Sequence, residues 1–354
     1  MKKKIVAATL LCGVGALANA QTSMQLYGRL DGGLEYMNNL STPDGGTASR
    51  WRAQGGDYGT SLFGLRGYED LGRGLHAVFN LEAGFQLMNG TNNNGNGSLF
   101  NRRALVGFAS NQWGTFTMGR NLFISNGVWD FDPFQQQGFS SASLVRGRNW
   151  PQASNTLNYQ SPNIYGLDFA GQYALSNVAG QFNNGRAAGA QVTYTHERFQ
   201  LRAMYDEIRD ANGRFSDIFS SSREYFAGAN IFLNRFTFQL AYTHMSAPDA
   251  PVPELATKAD HYWVGLKYQA TPVWALSSAV YHVNVPGGFG NATMFEIGTT
   301  YALSKRTFFY GTVAYTRNSS NANFSVAVNA GDSLDNPPPG RNQTGAYIGI
   351  SHSF

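Results

Sequence analysis

The residues with reactive side chains give little sign of catalysis. Six histidines, His76, His196, His244, His261, His282 and His352, stand too far apart in sequence to form a close pair at ligand spacing. No Gly-x-Ser-x-Gly turn presents a serine nucleophile, and no glycine-rich loop ending in Lys-Ser or Lys-Thr offers a phosphate cradle. What the chain has instead is charge of one kind. It carries 20 arginines, and beyond residue 20 its lysines are Lys258, Lys267 and Lys305 alone. Arginine is planar, permanently charged and weakly hydrated, which suits fixed arrays beside carboxylates or the binding of anions. Arg29 lies close in sequence to Asp31 and Glu35, Arg66 stands on the strand before Glu82, and Arg102 and Arg103 are adjacent. Asp130 and Asp132 flank Phe131 just ahead of Pro133.

The elements that position these charges follow from composition and period. Of 354 residues 41 are Gly, 14% are aromatic and only 14% are charged, against about 7% Gly and about 25% charged in an ordinary soluble domain. Residues 1–20 read as an export signal, with Lys2, Lys3 and Lys4 ahead of an apolar stretch and Ala18-Asn19-Ala20 as a cleavage site. Removing it takes away Cys12, the only cysteine, so stability has to come from packing and backbone pairing. It also reduces 26 basic residues to 23 against 22 acidic ones, which removes any case for a nucleic-acid partner. No later run is apolar for long enough to be a membrane helix.

From residue 21 onward the dominant period is two. Leu26, Gly28, Leu30, Gly32, Leu34 and Tyr36 alternate with Gln25, Tyr27, Arg29, Asp31, Gly33 and Glu35, and the pattern returns at 75–86, 199–206 and 236–243. Between clusters of Gly, Asn, Pro and Asp it marks sixteen segments, beginning near residues 24, 60, 74, 98, 114, 154, 167, 187, 198, 222, 235, 259, 273, 292, 306 and 344. Tight turns at 70–73, 234 and 304–305 contrast with long polar connections at 38–59, 88–97, 121–153, 209–221, 247–258 and 319–343. Aromatics gather at strand ends, as in Tyr262 and Tyr268 or Trp274 and Tyr281. These features predict an all-β protein, a 16-stranded antiparallel transmembrane β-barrel. A secreted β-sandwich would also alternate, but a chain this poor in charge lacks the groups to solubilise its exterior. With the apolar stripe facing lipid, the polar face encloses water, and the expected function is a passage with no cofactor and no bond chemistry. A barrel lipase, with Ser and His on neighbouring outward strands, is the enzyme alternative, and no segment singles out such a pair.

LYGRLDGG (26–33), FGLRGYEDLGRGLHAVFNLEAGF (63–85), FNRRALVGF (100–108), GTFTMGRN (114–121), NTLNYQSP (155–162), YALSKRT (301–307) and the terminal Phe354 resemble, in that order, the general porins of the Gram-negative outer membrane, most closely the trimeric beta-proteobacterial type. The resemblance implies a homotrimer of sixteen-stranded barrels in residues 21–354, with the third long loop, here 121–153, folded inward to narrow the channel. Asp130 and Asp132 would form the acidic rim of that constriction, or else shape the turn at Pro133. Arg66, Arg103, Arg120 and Arg29 would stand on the basic wall opposite, although parity with Phe116 and Met118 sends Arg120 outward unless its strand has ended. Leu62 stands where the family commonly has Arg, which weakens the basic cluster. The implied function is passive diffusion of small hydrophilic solutes and ions with weak charge selectivity. The alternative is a substrate-preferring channel in which Trp129, Phe131, Phe134 and Trp150 stack against sugars or aromatic acids. Residues 92–97 would be a latch onto a neighbouring subunit.

In this family the last aromatic residue is read by the barrel-assembly machinery. Deleting Phe354 is therefore expected to lower the yield of membrane-inserted protein in outer-membrane fractions, and an undiminished yield would remove that role.

Overall fold

The computed structural model describes residues 23–92, 97–328 and 334–354. The export signal and the centre of the expected latch, residues 93–96, therefore lie outside the described residues. The strands are β1 (Ser23–Ser41), β2 (Thr47–Gly55), β3 (Ser61–Gly72), β4 (Leu75–Phe85), β5 (Arg103–Ser110), β6 (Gly114–Leu122), β7 (Gln152–Gln160), β8 (Leu167–Ala174), β9 (Ala187–His196), β10 (Phe199–Ile208), β11 (Arg223–Leu233), β12 (Phe236–Ser246), β13 (Lys258–Thr271), β14 (Trp274–Val285), β15 (Gly290–Ala302), β16 (Thr307–Asn318) and β17 (Gln343–Ser353). Each pairs antiparallel with its neighbours, and β1 closes the sheet on β17 with Arg29 opposite Ser353 and Met37 opposite Gly345.

β2 and β3 are two halves of one barrel strand. β2 pairs with the second half of β1 and β3 with the first, so the closed barrel has sixteen strands. The break between them, residues 56–60, turns at Gly56 with φ +81°. The sequence pattern put all of 38–59 in a loop, whereas β1 runs on to Ser41 and β2 follows after five residues. The reason is that Arg50 and Arg52 face inward and pair with Glu35, so the run Thr47–Gly55 looks polar although it alternates.

Lipid-facing positions carry the apolar stripe: Leu26, Ile297 and Ile348 are 58%, 63% and 64% exposed. Trp274, Tyr301 and Phe309 lie in one register row near the short turns, while Tyr205–Tyr225 and Tyr36–Trp51 mark the long-loop end with ring separations of 5.0 and 4.9 Å. These are the two aromatic girdles of a membrane barrel.

Residues 123–151 enter the barrel and cross its interior through two short 3-10 turns, Ile124–Phe131 and Ser141–Val145. A series of inward glycines on alternate strands makes this possible. Side chains of the incoming chain occupy the space a Cβ would fill on alternate strands: Ile124 over Gly189 of β9, Phe131 over Gly228 of β11, Pro133 over Gly265 of β13, Phe134 over Gly298 of β15 and Phe139 over Gly345 of β17. The contact is an apolar core inside the barrel, in which Val128, Phe131, Phe134, Phe139, Leu144 and Val145 pack on Trp263, Tyr281, Met294 and Tyr310. At its tip the loop meets the broken strand, where the Gly138 N–H donates to the Asp57 carbonyl at 2.7 Å and the Tyr58 hydroxyl to Gln135 at 3.1 Å.

Gly265→Leu and Gly298→Leu are each expected to lift the loop from its seat, since overfilling a packed site costs about 1–3 kcal/mol. Single-channel conductance should rise in both. Wild-type conductance in both would show that these glycines do not seat the loop.

Candidate functional site

The infolded loop is fixed by buried polar contacts at both of its legs. On the incoming leg Asp132 is fully buried. Its carboxylate accepts from the Tyr281 hydroxyl at 2.7 Å, the Phe134 N–H at 2.8 Å and the Ser141 N–H at 3.0 Å. The bond to Phe134, two residues on, is an Asx turn around Pro133. Asp132 thus shapes the turn and ties it to β14, and its expected place on an open acidic rim is corrected: it has no exposed surface. The Trp263 indole N–H adds a bond of 2.9 Å to the Phe131 carbonyl. On the return leg Arg148 donates to Asp206 at 2.6 Å and to the Ser222 hydroxyl at 2.8 Å. Glu224 lies 3.8 Å away and is held by Asn149. Burial alone would push the Arg148 guanidinium down, but the charges of Asp206 and Glu224 outweigh it, so its pKa lies above the ordinary arginine value.

Asp130 does reach the lumen. Its carboxylate pairs with Arg202 of β10 at 2.7 Å, with 43% of its side chain exposed. Asn230 and Gln239 each donate to its backbone carbonyl at 3.0 Å. Arg202 was not singled out in the sequence; its inward parity on β10 was legible there, but its partner was not.

The basic wall is built around Glu82 of β4. Arg102 binds one carboxylate oxygen at 2.7 Å and Arg103 the other at 3.0 Å, and the Tyr27 hydroxyl donates to Glu82 at 2.9 Å. Arg102 also reaches the Thr60 hydroxyl at 3.2 Å, and Arg29 donates to the Thr60 carbonyl at 3.1 and 3.2 Å. Arg29, Arg102 and Arg103 therefore gather beside residues 57–60, where the loop tip meets Tyr58. Strand alternation put only one of the adjacent pair inside, yet both arrive because Arg102 precedes the start of β5 at Arg103. Leu62 lies inward opposite Arg29, and Arg102 brings a guanidinium to the same region from the loop before β5.

Two expected members lie elsewhere. Arg66 faces the lumen but pairs with Gln25 at 2.8 and 3.0 Å and stacks over the Tyr27 ring. It stands four residues along β3 from Leu62, or about 13 Å toward the short turns. Arg120 is opposite Ala104 on the outward face and binds the Asn101 carbonyl at 2.7 Å and Ser154 at 2.6 Å. The strand does not end early: β6 runs on to Leu122 and its pairing with β5 is unbroken from Met118 to Arg120, so Arg120 keeps the parity of Met118 and is not on the basic wall. Of the aromatic stacking set, Phe131 and Phe134 are 0% and 2% exposed, consumed by packing against the barrel, while Trp129 keeps 38% of its surface exposed. Phe354 pairs with Gly28 through two 3.1 Å backbone bonds and completes the closure.

A closed sixteen-stranded barrel with lipid-facing girdles and a loop laid across a polar interior defines a diffusion channel of the outer membrane. The chain belongs to the Gram-negative porin family, whose description matches residues 7–322. It is similar to an outer membrane porin protein of Bordetella pertussis, 30% identical over 90% of this chain and 95% of that protein. It is also similar to outer membrane porin protein 32 of Delftia acidovorans, 27% identical over the whole of both chains. Among solved structures, an anion-selective porin from Comamonas acidovorans superposes with a TM-score of 0.80 at 24% identity, over 94% of this chain and all of that one. OmpF of Salmonella typhi does so at 0.66 and 17%, over 94% of this chain and 97% of that one. The protein resides in the outer membrane and conducts small hydrophilic solutes by passive diffusion.

Arg148→Met leaves Asp206 and Glu224 buried without their cation, a loss of about 3–5 kcal/mol. The heat-resistant folded band on a denaturing gel should disappear at a lower temperature than in wild type, and an unchanged transition would mean that the buried pair does not hold the barrel's long-loop end.

Proposed function

We propose that the narrow part of this channel is the gap between the loop carrying Asp130 and Gln135 and the arginine cluster of Arg29, Arg102 and Arg103, and that it passes solutes by size with a weak preference for anions. The supporting observation is the convergence of those three guanidiniums on Glu82 and Thr60 beside the loop tip. Three permanent cations face two carboxylates, Glu82 and Asp31, while Asp130 on the loop side is balanced by Arg202. So small an excess gives a weak field: a unit pair at 4 Å is worth about 1 kcal/mol in bulk water and about 4 kcal/mol near a protein surface. Arg66, further toward the short turns, extends the positive potential along the path. No bond is made or broken in this reading.

The chain acts as a homotrimer in this proposal, after export directed by residues 1–20 and insertion by the barrel-assembly machinery through Phe354. The side that supports an intersubunit contact is that of β1 and β2, where Leu87 and Met88 lie over Gly32 and Trp51 and Leu99 are 73% and 68% exposed.

Replacing Arg102 and Arg103 together by Gln leaves Glu82 facing the water path without its cations. The zero-current potential across a bilayer in a KCl gradient should move toward cation preference, by an amount that shrinks as salt rises. An ion preference identical to wild type would place the selective step elsewhere.

A further inference from the structure

Two half-buried rings stand beside the arginine cluster on the wall of the water path. Phe309 of β16 faces lipid with 47% of its surface exposed, so its neighbour Phe308 points inward. Phe308 is in register with Ser351 of β17, and through it with Asp31 of β1. Tyr58, in the break between β2 and β3, meets the Phe308 ring edge-on at 4.6 Å. One side of the pair packs on the buried core, where the Tyr310 ring lies 5.2 Å from Tyr58 and 6.2 Å from Phe308. Both residues keep part of their surface exposed, whereas Tyr310, Phe131 and Phe134 are buried. Apolar surface left open to water gains by contact with an apolar group of a solute.

The same segment carries the guanidiniums. A Cβ on Gly59 would strike the Arg29 guanidinium, which therefore occupies the place of a side chain between Tyr58 and Thr60. Its Nε and Nη2 donate to the Thr60 carbonyl at 3.2 and 3.1 Å, and its Nη1 makes no hydrogen bond among the described residues. Arg103 keeps 27% of its side chain exposed while it holds Glu82. Asp31, which would repel an incoming anion, is fully buried. Its Oδ1 accepts from the Tyr310 hydroxyl at 2.9 Å and from the Tyr58 N–H at 3.2 Å. Open apolar rings and available cationic donors thus lie next to each other on one stretch of wall.

We propose that Tyr58, Phe308, Arg29 and Arg103 form one subsite for an aromatic monocarboxylate of the benzoate class, which makes this solute class a preferred cargo of the channel. The inference rests on the anion-preferring reading given above and adds a ring to it. The carboxylate meets the guanidiniums, whose planar donors match its two oxygens. The solute ring lies against the open edges of Phe308 and Tyr58. A small inorganic anion uses the arginines alone, and an uncharged ring uses the aromatics alone. The subsite is weak, as a conducting path requires, since a solute that enters also has to leave.

The test is single-channel recording of the purified protein in a planar bilayer in KCl. Benzoate, acetate or benzamide is added, and the concentration that halves the conductance is read. Benzoate should reach this point at a concentration about fivefold lower than acetate, the worth of one aromatic pair at about 1 kcal/mol. Benzamide, with the ring and no charge, should also block less than benzoate. Phe308→Leu, which keeps the seat against Tyr58 filled, should raise the benzoate value about fivefold and leave both the acetate value and the zero-current potential in a KCl gradient at wild type. Tyr58→Phe keeps the ring and should keep the benzoate value.

Equal half-blocking by benzoate and acetate overturns the subsite, as does a Phe308→Leu channel that responds to benzoate as wild type does. Either result leaves the arginine cluster as the selective element. Benzamide blocking as strongly as benzoate overturns it as well, because the guanidiniums would then contribute nothing. An unshifted KCl-gradient potential in the Arg102→Gln/Arg103→Gln channel removes the reading beneath it, and the subsite with it.

Discussion

Hydrocarbon offers no partner to a peptide group, and every other feature of this molecule follows from the way that demand is met. An unpaired N–H or C=O in lipid costs several kcal/mol, so a sheet in the membrane has to close. Here closure rests on β1, whose 19 residues pair with β17 on one side and with both halves of the broken strand on the other. The terminal Phe354 extends that seam by two further bonds to Gly28. Closure separates the two faces of each strand, and the charged side chains collect on the side that encloses water.

The enclosed side is not uniform. Against β9–β17 the loop lies on glycines and packs its aromatics into the barrel, while against β1–β5 the interior is polar and lined by guanidiniums. Loop and broken strand meet at 57–60, where Asp57 and Tyr58 accept and donate bonds to the loop tip. The bend in the barrel strand therefore has two consequences at once: it supplies the anchor for the loop and it brings Thr60 to the arginines. Asp132, which on sequence grounds was a candidate for the water path, is instead the internal clamp of the turn.

Much of this was legible beforehand and some of it was not, for identifiable reasons. Period two marked the barrel strands because each has one face in lipid, and the even count followed. β2 escaped because Arg50 and Arg52 are inward residues, and Trp51 is the one large apolar side chain among its outward residues Ser49, Trp51 and Ala53. The glycines at 228, 265, 298 and 345 each look like interruptions of a strand when read singly; their purpose shows only when the fold lays the loop's side chains over them. Arg102 and Arg103 illustrate the limit of parity, which holds inside a strand and lapses one residue before it. Asp130 and Asp132 share a parity and a composition, and only the tertiary fold separates the exposed one from the buried one.

The dry layer between the loop and β10–β17 gives the molecule two kinds of thermodynamics. Lipid-facing side chains gain little by leaving one oily medium for another, so the barrel is held by backbone pairing. Phe131, Phe134 and Phe139, in contrast, were taken out of water, and their seat obeys the rules of a soluble protein's interior, with a large heat-capacity change and a response to urea and to excluded osmolytes. Aperture and scaffold thus answer to different solvents: cosolutes that leave the barrel untouched act on the width of its opening.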